Sequence, residues 1–552
     1  MATTRMKSIA HVLGLQELVI KIVEHTGSLG CAVNLGITSR AMFTPCMSVA
    51  WRDLSSEIHL LKLLPYTLSE PEDSSHNYMK FTHNDTSRLC VYGPFVKKLG
   101  IFKPWRYKWR LTNCNSLLSY AKTHPLLPNL DTLTWNFSTS ERYWDVMVCM
   151  GLFVSPSLTK FKIEFDGRLS SIGPAVSRMV LESLFDTCPN IQSLSFFPAN
   201  HERSQSPLDD ASSVDHLQMP NTDLRALRSV LIGFGHLTAF QTNLRVLELF
   251  PLDGLLNLTS LEVDMEEEPL LNPMPYQRFP LLEHLGLFRC NQLNVAQILP
   301  GSGTGLVSLL LSSRGYPDFV QSVVQHLARY HPTLSCLGMH ACGVMFHTHV
   351  NDIQPSQLQP LQCMSRLHTL RLEGMELTAT DHRRLDLRFW DILPRTLRNL
   401  EIPTQMITAQ QLLDLTTQAP WIQELETGWG GNDLKGFGWD LHQATLPRLR
   451  NLKIHLWVQW LYSQDSRQSS KLTSYLVADT VALLCPNTQV IDHGNKMAYR
   501  YYRGILCQEI DLKPWRAEDL REPMHIPRRE ANENLAPLNY IYLVLFLLAF
   551  VA

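Results

Sequence analysis

A short phrase, leucine followed by two residues, leucine, one residue and leucine, returns along most of this chain. Its copies, some of which carry another residue at one position, begin at Leu130, Leu158, Ile191, Leu244, Leu258, Leu282, Leu306, Leu334, Leu367, Leu397, Ile422 and Leu449. From Leu258 onward they are 24 to 33 residues apart. The end of each phrase alternates like a strand with one buried face. Such copies must stack, because one copy cannot bury its own apolar side.

Helical segments separate the phrases. In residues 408–420 and 323–332 the apolar positions recur at intervals of three and four. The pattern predicts an α/β fold, a curved solenoid with one parallel strand per repeat and outer helices. Residues 117–495 resemble the long, irregular type of leucine-rich repeat, whose period is about 20–29 residues. We assign residues 59–116 to a connecting segment or a cap of the first repeat.

Composition narrows the class of protein. The chain is 45% hydrophobic and 18% charged with a formal net charge of −2, which is typical of a folded protein. That balance gives no reason to expect a nucleic-acid partner. The 12 cysteines contain no CxxC pair, so reduced, packed thiols are expected rather than a disulfide or zinc framework. Polar residues interrupt the first apolar run, and we expect a cytoplasmic or nuclear protein.

The residues before the repeats form a small unit, which we place at 10–58. The apolar residues of LGLQELVIKIVEH recur on one face of a helix: Leu15, Leu18, Val19, Ile22 and Val23. A second apolar cluster and the sequence WRDL follow. Three short helices bury too little surface to be stable alone, since domains near 40 residues usually need a partner. The unit is therefore expected to have an obligate interface.

This unit resembles the F-box, in the form found at the front of many fungal proteins. The opening is matched by Leu15, Glu17 and Leu18, the middle by Ser39, Arg40, Ala41 and Phe43, and the end by Trp51, Arg52, Asp53 and Leu54. Gln16 stands where the family usually has proline, and Met42 where it usually has tryptophan. The proline fixes the first helical turn and the tryptophan fills the interface, so both departures predict weaker docking.

The resemblance implies that the unit docks on the Skp-type adaptor of a Skp, cullin and F-box ubiquitin ligase, while the repeats hold a protein substrate. The adaptor-binding residues it implies are Leu15, Leu18, Val19, Ile22, Leu35, Ile37, Arg40, Met42, Phe43 and Trp51. One alternative is a helical cap that only seals the first repeat. The corresponding function would be a repeat scaffold or inhibitor that acts without a ligase.

Two surfaces of the repeats are candidates for substrate binding. Side chains next to the second leucine of each phrase point away from the core, and later copies place there Glu262, Asp264, Arg371, Glu373, Glu401, Glu424, Glu426 and His455. Their balance is acidic. This face therefore either binds a basic or amide-rich protein segment or is an ordinary solvated surface. The second surface is a glycine-rich stretch with Trp429 and Trp439, which are either binding anchors or residues packed beneath their own loop.

No motif supports catalysis, a cofactor or a metal. His340, Cys342, His347 and His349 are close in sequence, but their spacing fits no familiar zinc site. We therefore expect a non-enzymatic protein. The segment 496–552 ends in fifteen residues without a charge, 538–552, which are short for a bilayer span of about 20 residues. This run is a membrane tail anchor, an element packed on the last repeat, or a tail from an imperfect gene model.

Overall fold

The structure is a computed structural model of the chain. It describes residues 16–26, 28–69, 76–81, 85–101, 108–112, 114–137, 143–165, 174–197, 230–243, 246, 255–265, 279–291, 295, 297–299, 305–313, 317–341, 353–375, 377, 388–407, 409–430, 449–457, 488–492 and 515–516. The chain divides into two compact units. Unit 1 contains the described residues up to Ser193 and unit 2 those from Leu194, except that residues 174–177 group with unit 2.

Unit 1 begins with helices. Its helices are α1 Gln16–Thr26, α2 Leu29–Gly36, α3 Arg40–Ala50, α4 Ile58–Leu61, α5 Ser87–Tyr92, α6 Asn115–Thr123, α7 Tyr143–Phe153 and, at its boundary, α8 Pro174–Thr187. A short 3-10 helix, Gly93–Phe95, follows α5. Its strands are β1 Asp53–Leu54, β2 Tyr66–Ser69, β3 His76–Phe81, β4 Lys98–Ile101, β5 Lys108–Thr112, β6 Thr132–Phe137, β7 Lys160–Phe165 and, at the boundary, β8 Ser193–Phe196. Strands β1, β4, β6 and β7 form a parallel ladder in that order, and β2, β3 and β5 form a separate sheet.

Unit 2 is a longer parallel ladder. Its strands are β9 Ala239–Asn243, β10 Ser260–Asp264, β11 His284–Phe288, β12 Ser308–Ser313, β13 Cys336–Ala341, β14 Thr369–Glu373, β15 Asn399–Ile407, β16 Glu424–Gly430, β17 Asn451–Trp457, β18 Thr488–Asp492 and β19 Trp515–Arg516. Each strand from β9 to β18 pairs in parallel with the next, and β19 is antiparallel to β18. The helices are α9 Pro317–Tyr330, α10 Pro355–Leu358, α11 Arg388–Asp391 and α12 Ala409–Gln418, with a 3-10 helix at Gln359–Cys363.

The phrase of the sequence is the strand of each repeat. In the copy at Leu367 the three leucines are 0%, 0% and 1% exposed, and their neighbours in the strand turn to the other face. The registers join equivalent positions, as in Leu337 opposite Leu370 and Leu370 opposite Leu400. The predicted fold class, an α/β repeat array with one parallel strand per copy and helices at the N-terminus, is confirmed.

A four-residue turn precedes many of the strands. The amide of the first phrase residue donates to the carbonyl three residues earlier, as from Leu282 to Phe279 at 3.1 Å. Proline holds the second position of this turn at Pro128, Pro156, Pro189, Pro280, Pro332 and Pro420. The fixed φ of proline suits that position, and proline cannot continue the preceding helix. At Pro156, Pro189, Pro332 and Pro420 the proline lies two or three residues after the end of a helix and directs the chain into the next strand.

The ladder begins earlier than the sequence predicted. Strand β1 lies within the sequence WRDL, and β4 lies in the phrase that begins at Val96, inside the region assigned to a connector. The strand beside β10 is β9, which follows Leu237 and carries Phe240 and Thr242 in place of the later leucines. Of the copy predicted at Leu244, the structure describes Val246 alone. The copy at Leu237 was missed because both of its later leucines are replaced, whereas each predicted copy keeps at least two leucine-like residues.

Candidate protein-interaction surface

The three predicted N-terminal helices are present and enclose a small core. The buried residues of this core are Val19, Val23, Ala32, Met42, Cys46, Met47 and Ala50. Ser28 caps α2 and Ser39 caps α3, each accepting a hydrogen bond from the amide three residues later. Serine at these positions satisfies an amide that would otherwise have no partner in the first helical turn.

Large apolar side chains remain exposed on α1, on α2 and just after α2. Their exposed fractions are 41% for Leu18, 40% for Ile22, 61% for Leu29, 39% for Val33 and 71% for Ile37. Within each helix the exposed pair is four residues apart, so it lies on one helical face. In the described part of the chain, half of the large exposed apolar side chains are in this short stretch. Such a concentration makes this stretch a candidate interaction surface.

Five other residues of the predicted adaptor-binding set pack in or against the core of the unit itself. Val19 and Met42 are 2% and 8% exposed, because they form the core of the unit itself. Phe43 and Trp51 are half-buried and pack against Tyr92 and Phe95 of the segment that follows. Arg40 is exposed and Leu35 half-buried, whereas Leu15 lies outside the described residues. The apolar residues predicted on one face of α1 thus include both buried positions, such as Val19, and exposed positions, such as Leu18 and Ile22.

The sequence WRDL joins the helices to the first strands of unit 1. The Arg52 guanidinium contacts the Glu24 carboxylate of α1 at 2.8 Å, and Asp53 faces Lys98 at 3.8 Å. The Arg52 carbonyl accepts hydrogen bonds from the amides of Lys97 and Lys98, and Leu54 pairs with Leu99. The residues that the resemblance placed at the end of the docking unit therefore also form the first strand of the ladder.

A second surface is the open face of β14–β17, here called the charged face. Its side chains are Arg371, Glu373, Glu401, Glu424, Glu426 and Lys453. Arg371 contacts Glu373 at 2.8 Å and Glu401 at 3.5 Å, and Lys453 contacts Glu426 at 3.0 Å. The acidic face that the sequence predicted is therefore partly neutralised by its own cations.

Three carboxylates of the charged face surround a depression of about 260 Å³ on β15–β17. Glu401, Glu424 and Glu426 line it together with Asn399, Asn451 and Lys453. Burial raises the pKa of Glu401, Arg371 lowers it, and Glu426 raises it further. Asn451 donates to the Glu424 carboxylate at 3.0 Å. A cationic or amide group of a partner would fit the excess of acceptors here, so the preference for a basic segment stays a prediction.

The remaining predicted substrate-binding residues are scattered. Glu262 and Asp264 lie on β10, where Asp264 is bonded to Arg289 through both carboxylate oxygens and Glu262 accepts from Gln241. The backbones of Trp429 and His455 lie in β16 and β17, but the structure does not describe their side chains. Trp439 and the glycine-rich stretch 431–448 lie outside the described residues, as does the tail 538–552.

Two negative findings apply to the part of the chain that the structure describes. No group of three or more histidine, cysteine, aspartate and glutamate side chains there could hold a metal ion. No helix in that part is long and apolar enough to cross a membrane.

No protein-family model matches the chain, and no curated protein matches it. Among solved structures, the chain is similar to the one titled "Crystal structure of TLR13-ssRNA13 complex". The identity is 12%, the TM-score is 0.22, and the match covers 67% of this chain and 72% of that chain. A likeness at this TM-score carries no argument, and the assignment of the fold rests on the ladder and its repeated phrase.

Proposed function

We propose that this chain is the substrate-recognition subunit of a Skp, cullin and F-box ubiquitin ligase. In this role α1–α3 dock on the Skp-type adaptor, and the repeats bind a protein substrate. The chain itself performs no catalysis and needs no cofactor, and it works in the cytoplasm or nucleus. The ladder supports the coarser part of this proposal, a repeat scaffold that binds protein.

The observation that carries the docking role is the exposed apolar set on α1 and α2. Leu18 and Ile22 would lose solvent contact in a complex, and burying side chains of this kind contributes about 1.5–3 kcal/mol each when burial is complete. Ile37, which the resemblance also implied, is still more exposed, and Leu29 and Val33 add exposed apolar side chains that the resemblance did not imply. A small helical unit with this surface is what an obligate partner would cover.

The test is capture of the Skp-type adaptor by the full chain, because α1–α3 also pack on Tyr92 and Phe95 and have not been shown to fold alone. We expect Leu18→Asp with Ile22→Asp to reduce capture by at least about tenfold, since two apolar contacts become buried charges. The matched control is Leu256→Asp, a leucine of unit 2 that is 60% exposed. Wild-type protein that captures no adaptor would remove the ligase role.

A complementary variant asks whether a departure from the family weakens docking. Gln16 is exposed and is the first residue of α1, a position where the fixed φ of proline suits a helix. We expect Gln16→Pro to leave the fold intact and to strengthen adaptor capture by about two- to fivefold. Proline restricts the unfolded chain, so ordering the first turn of α1 loses less conformational entropy. Equal or weaker capture would show that Gln16 does not limit docking.

The second candidate function is a repeat scaffold or inhibitor in which α1–α3 only cap the array. The packing of Phe43 and Trp51 on Tyr92 favours it, because that contact joins the helices to the segment that leads into β4. The two functions differ in one measurable respect. A cap alone predicts that the Leu18 and Ile22 substitutions change neither the binding partners nor the stability of the protein.

A further inference from the structure

Three aliphatic side chains are exposed where the chain enters three neighbouring strands of unit 2. Leu256, Leu281 and Val307, here called the apolar edge, are 60%, 52% and 40% exposed. Leu256 and Leu281 lie in the turns before β10 and β11, and Val307 directly precedes β12. In the described part of unit 2 these are all of the large apolar side chains that are exposed. Because parallel strands begin at the same edge of a sheet, the three lie along one edge.

The apolar edge departs from neighbouring copies of the repeat. The residues that those copies have at the same positions are polar or proline: Thr259, Glu283 and Ser335 in place of Val307, Asn257 and Thr333 in place of Leu281, and Pro280 and Pro332 in place of Leu256. Packing of the repeat therefore does not require an aliphatic side chain at any of these positions. A single exposed leucine needs no explanation, but exposed aliphatic residues in three consecutive copies form a surface.

Hydrogen bonds hold the turns of the apolar edge in one row. The amide of Glu283 donates to the Thr259 carbonyl at 2.9 Å, and that of Val307 to the Glu283 carbonyl at 2.8 Å. The side chain of Asn257 donates to the Gly235 carbonyl at 2.8 Å and fixes the turn before β10. Neighbouring strands are about 4.8 Å apart, so the outer two members of the apolar edge are roughly 10 Å apart across the sheet. The surface is preorganised, which lowers the entropy that binding would cost.

The apolar edge has little charge beside it. In the described turns that lead into β9–β13, which are residues 235–238, 255–259, 279–283, 305–307 and 331–335, Glu283 is the only aspartate, glutamate, lysine or arginine. The side chain of Glu283 is 58% exposed, and its carboxylate lies 3.9 Å from Nε2 of His284. A complementary ligand is therefore apolar on its contact face and has a cation at one side of that face.

We propose that the apolar edge binds an amphipathic helix of a partner protein. Aliphatic residues at positions i, i+4 and i+7 of that helix contact the three members of the edge, and a lysine or arginine lies beside Glu283. Positions i and i+7 are about 10.5 Å apart along a helix, which matches the spacing of the outer two members. Binding through such anchors is a recurring mode of peptide recognition. The site shares no residue with α1–α3 or with the charged face, and the inference goes beyond the proposed ligase role.

An extended peptide fits the apolar edge less well than a helix. Side chains on one face of a strand are about 6.6 Å apart, which exceeds the 4.8 Å between neighbouring turns. The backbone groups of Thr259 and Glu283 are already paired within the ladder, so they are not free for an added chain. An extended peptide would thus leave its own amides and carbonyls against aliphatic side chains, whereas a helix pairs them internally.

A second copy of this chain, bound through the same edge, is also a poorer fit. Stable protein interfaces bury about 800 Å² per partner, and three aliphatic side chains provide only a fraction of that area. A single helix needs a much smaller contact, and its binding can be transient.

The test uses the full chain and two pools of fluorescein-labelled peptides of about 18 residues, which is long enough to form a helix. The one-face pool has leucine at i, i+4, i+7 and i+11 and a random choice of lysine, glutamine and alanine elsewhere. The scattered pool has the same composition, with its leucines distributed around the helix. We expect the one-face pool to bind at least about tenfold more tightly by fluorescence anisotropy, because only its leucines reach the edge together.

Leu281→Asn with Val307→Thr, the edge variant, should abolish this preference. The two changes introduce the residue types that the copy of β10 has at these positions, Asn257 and Thr259, so the ladder should stay intact. The matched control is Val91→Thr, the same change at a valine of unit 1 that is 50% exposed. It should bind the one-face pool as tightly as the wild type.

Three results would overturn the proposal. They are equal binding of the two pools, an equal loss in the control variant, and self-association of the wild type in sedimentation that the edge variant abolishes, since a second copy would then occupy the edge. Adaptor capture by the same preparations tests the proposed function separately. Leu256→Asp should capture the adaptor and lose the one-face pool, and a chain that captures no adaptor can still bind that pool.

Discussion

The indole ring of Trp51 lies over the phenol ring of Tyr92, with the ring centroids 4.7 Å apart and an angle of 30° between the planes. Trp51 directly follows α3 as its C-cap, and Tyr92 is the last residue of α5. The pair therefore joins the N-terminal helices to the first repeat. Phe43 adds a second contact to Tyr92 at 5.9 Å between centroids. Helices α1–α3 therefore share one apolar cluster with Tyr92 and Phe95 of the segment before β4.

We predict that Trp51→Ala destabilises the N-terminal helices by about 2 kcal/mol, somewhat less than the 3–5 kcal/mol typical of a fully buried aromatic residue. The reason is the loss of the ring contact with Tyr92 and of the area it buries. Hydrogen exchange of the α1–α3 amides in the full chain would measure the effect. Tyr92→Ala should give a similar loss, and the double variant should lose less than the sum, because the two residues share one contact.

Exposed Leu18→Ala is the control for this experiment and should leave the exchange of those amides unchanged. If Trp51→Ala also leaves them unchanged, the helices are stable without the first repeat. That outcome would restore Trp51 as a residue free to contact an adaptor.

Gly374, which follows β14, lies where the ladder leaves no room for a side chain. Its φ is +72°, and a Cβ there would lie 2.4 Å from the Ala341 carbonyl oxygen. Gly374→Ala should therefore cost at least about 2 kcal/mol, because both the conformation and the contact are unfavourable. Gly235→Ala is the matched control, since a Cβ at Gly235 meets nothing within 4 Å. Thermal or urea unfolding compares the two, and equal midpoints would contradict the close approach of Gly374 to Ala341.

The charged face predicts a stability that depends on pH. Burial raises the pKa of Glu401, and Arg371 opposes that rise, so Arg371→Gln should raise the pKa further. A carboxyl group whose pKa is raised by folding binds its proton more tightly in the folded state. The group therefore does not destabilise the folded state below its usual pKa. It lowers the free energy of unfolding increasingly as the pH rises through the folded pKa. The variant should therefore lose more stability at about pH 7 than at about pH 4.

Urea unfolding of wild type and variant at both pH values measures this difference. Adding Glu401→Gln to the Arg371→Gln variant removes the titrating group and should reduce the pH dependence. An equal cost of Arg371→Gln at the two pH values would show that its guanidinium does not stabilise the ionised carboxylates of Glu373 and Glu401.

The sequence predicted the ladder because one phrase repeats and its three apolar positions are all buried. It did not predict β9, where Phe240 and Thr242 replace leucines, since Thr242 is buried through a hydrogen bond to the Phe196 carbonyl and not through apolar contact. This copy keeps only the first of the three leucines, Leu237, whereas each predicted copy keeps at least two leucine-like residues. Periodicity identifies positions, but it does not say which buried polar side chain has a partner.

The candidate sites were predicted less completely than the fold. Val19 and Leu18 are adjacent on α1, yet Val19 is core and Leu18 is exposed, because the face of a short helix depends on where its neighbours pack. The ion pairs of Arg371 with Glu373 and Glu401 depend on the register between β14 and β15, which the phrase gives only approximately.

Cys188 begins the turn before β8 and shows how a thiol at this position is protected. It is fully buried, its Sγ donates to the Ser155 carbonyl at 3.1 Å, and burial raises its pKa to about 12. The thiolate is the reactive form, so alkylation at about pH 8 should modify the exposed Cys90 and Cys363 and leave Cys188 unmodified until the protein unfolds. Mass spectrometry of alkylated peptides measures the three rates. Labelling of Cys188 as fast as Cys363 in the folded protein would mean that this turn opens readily, and the ladder would then be weak at β8.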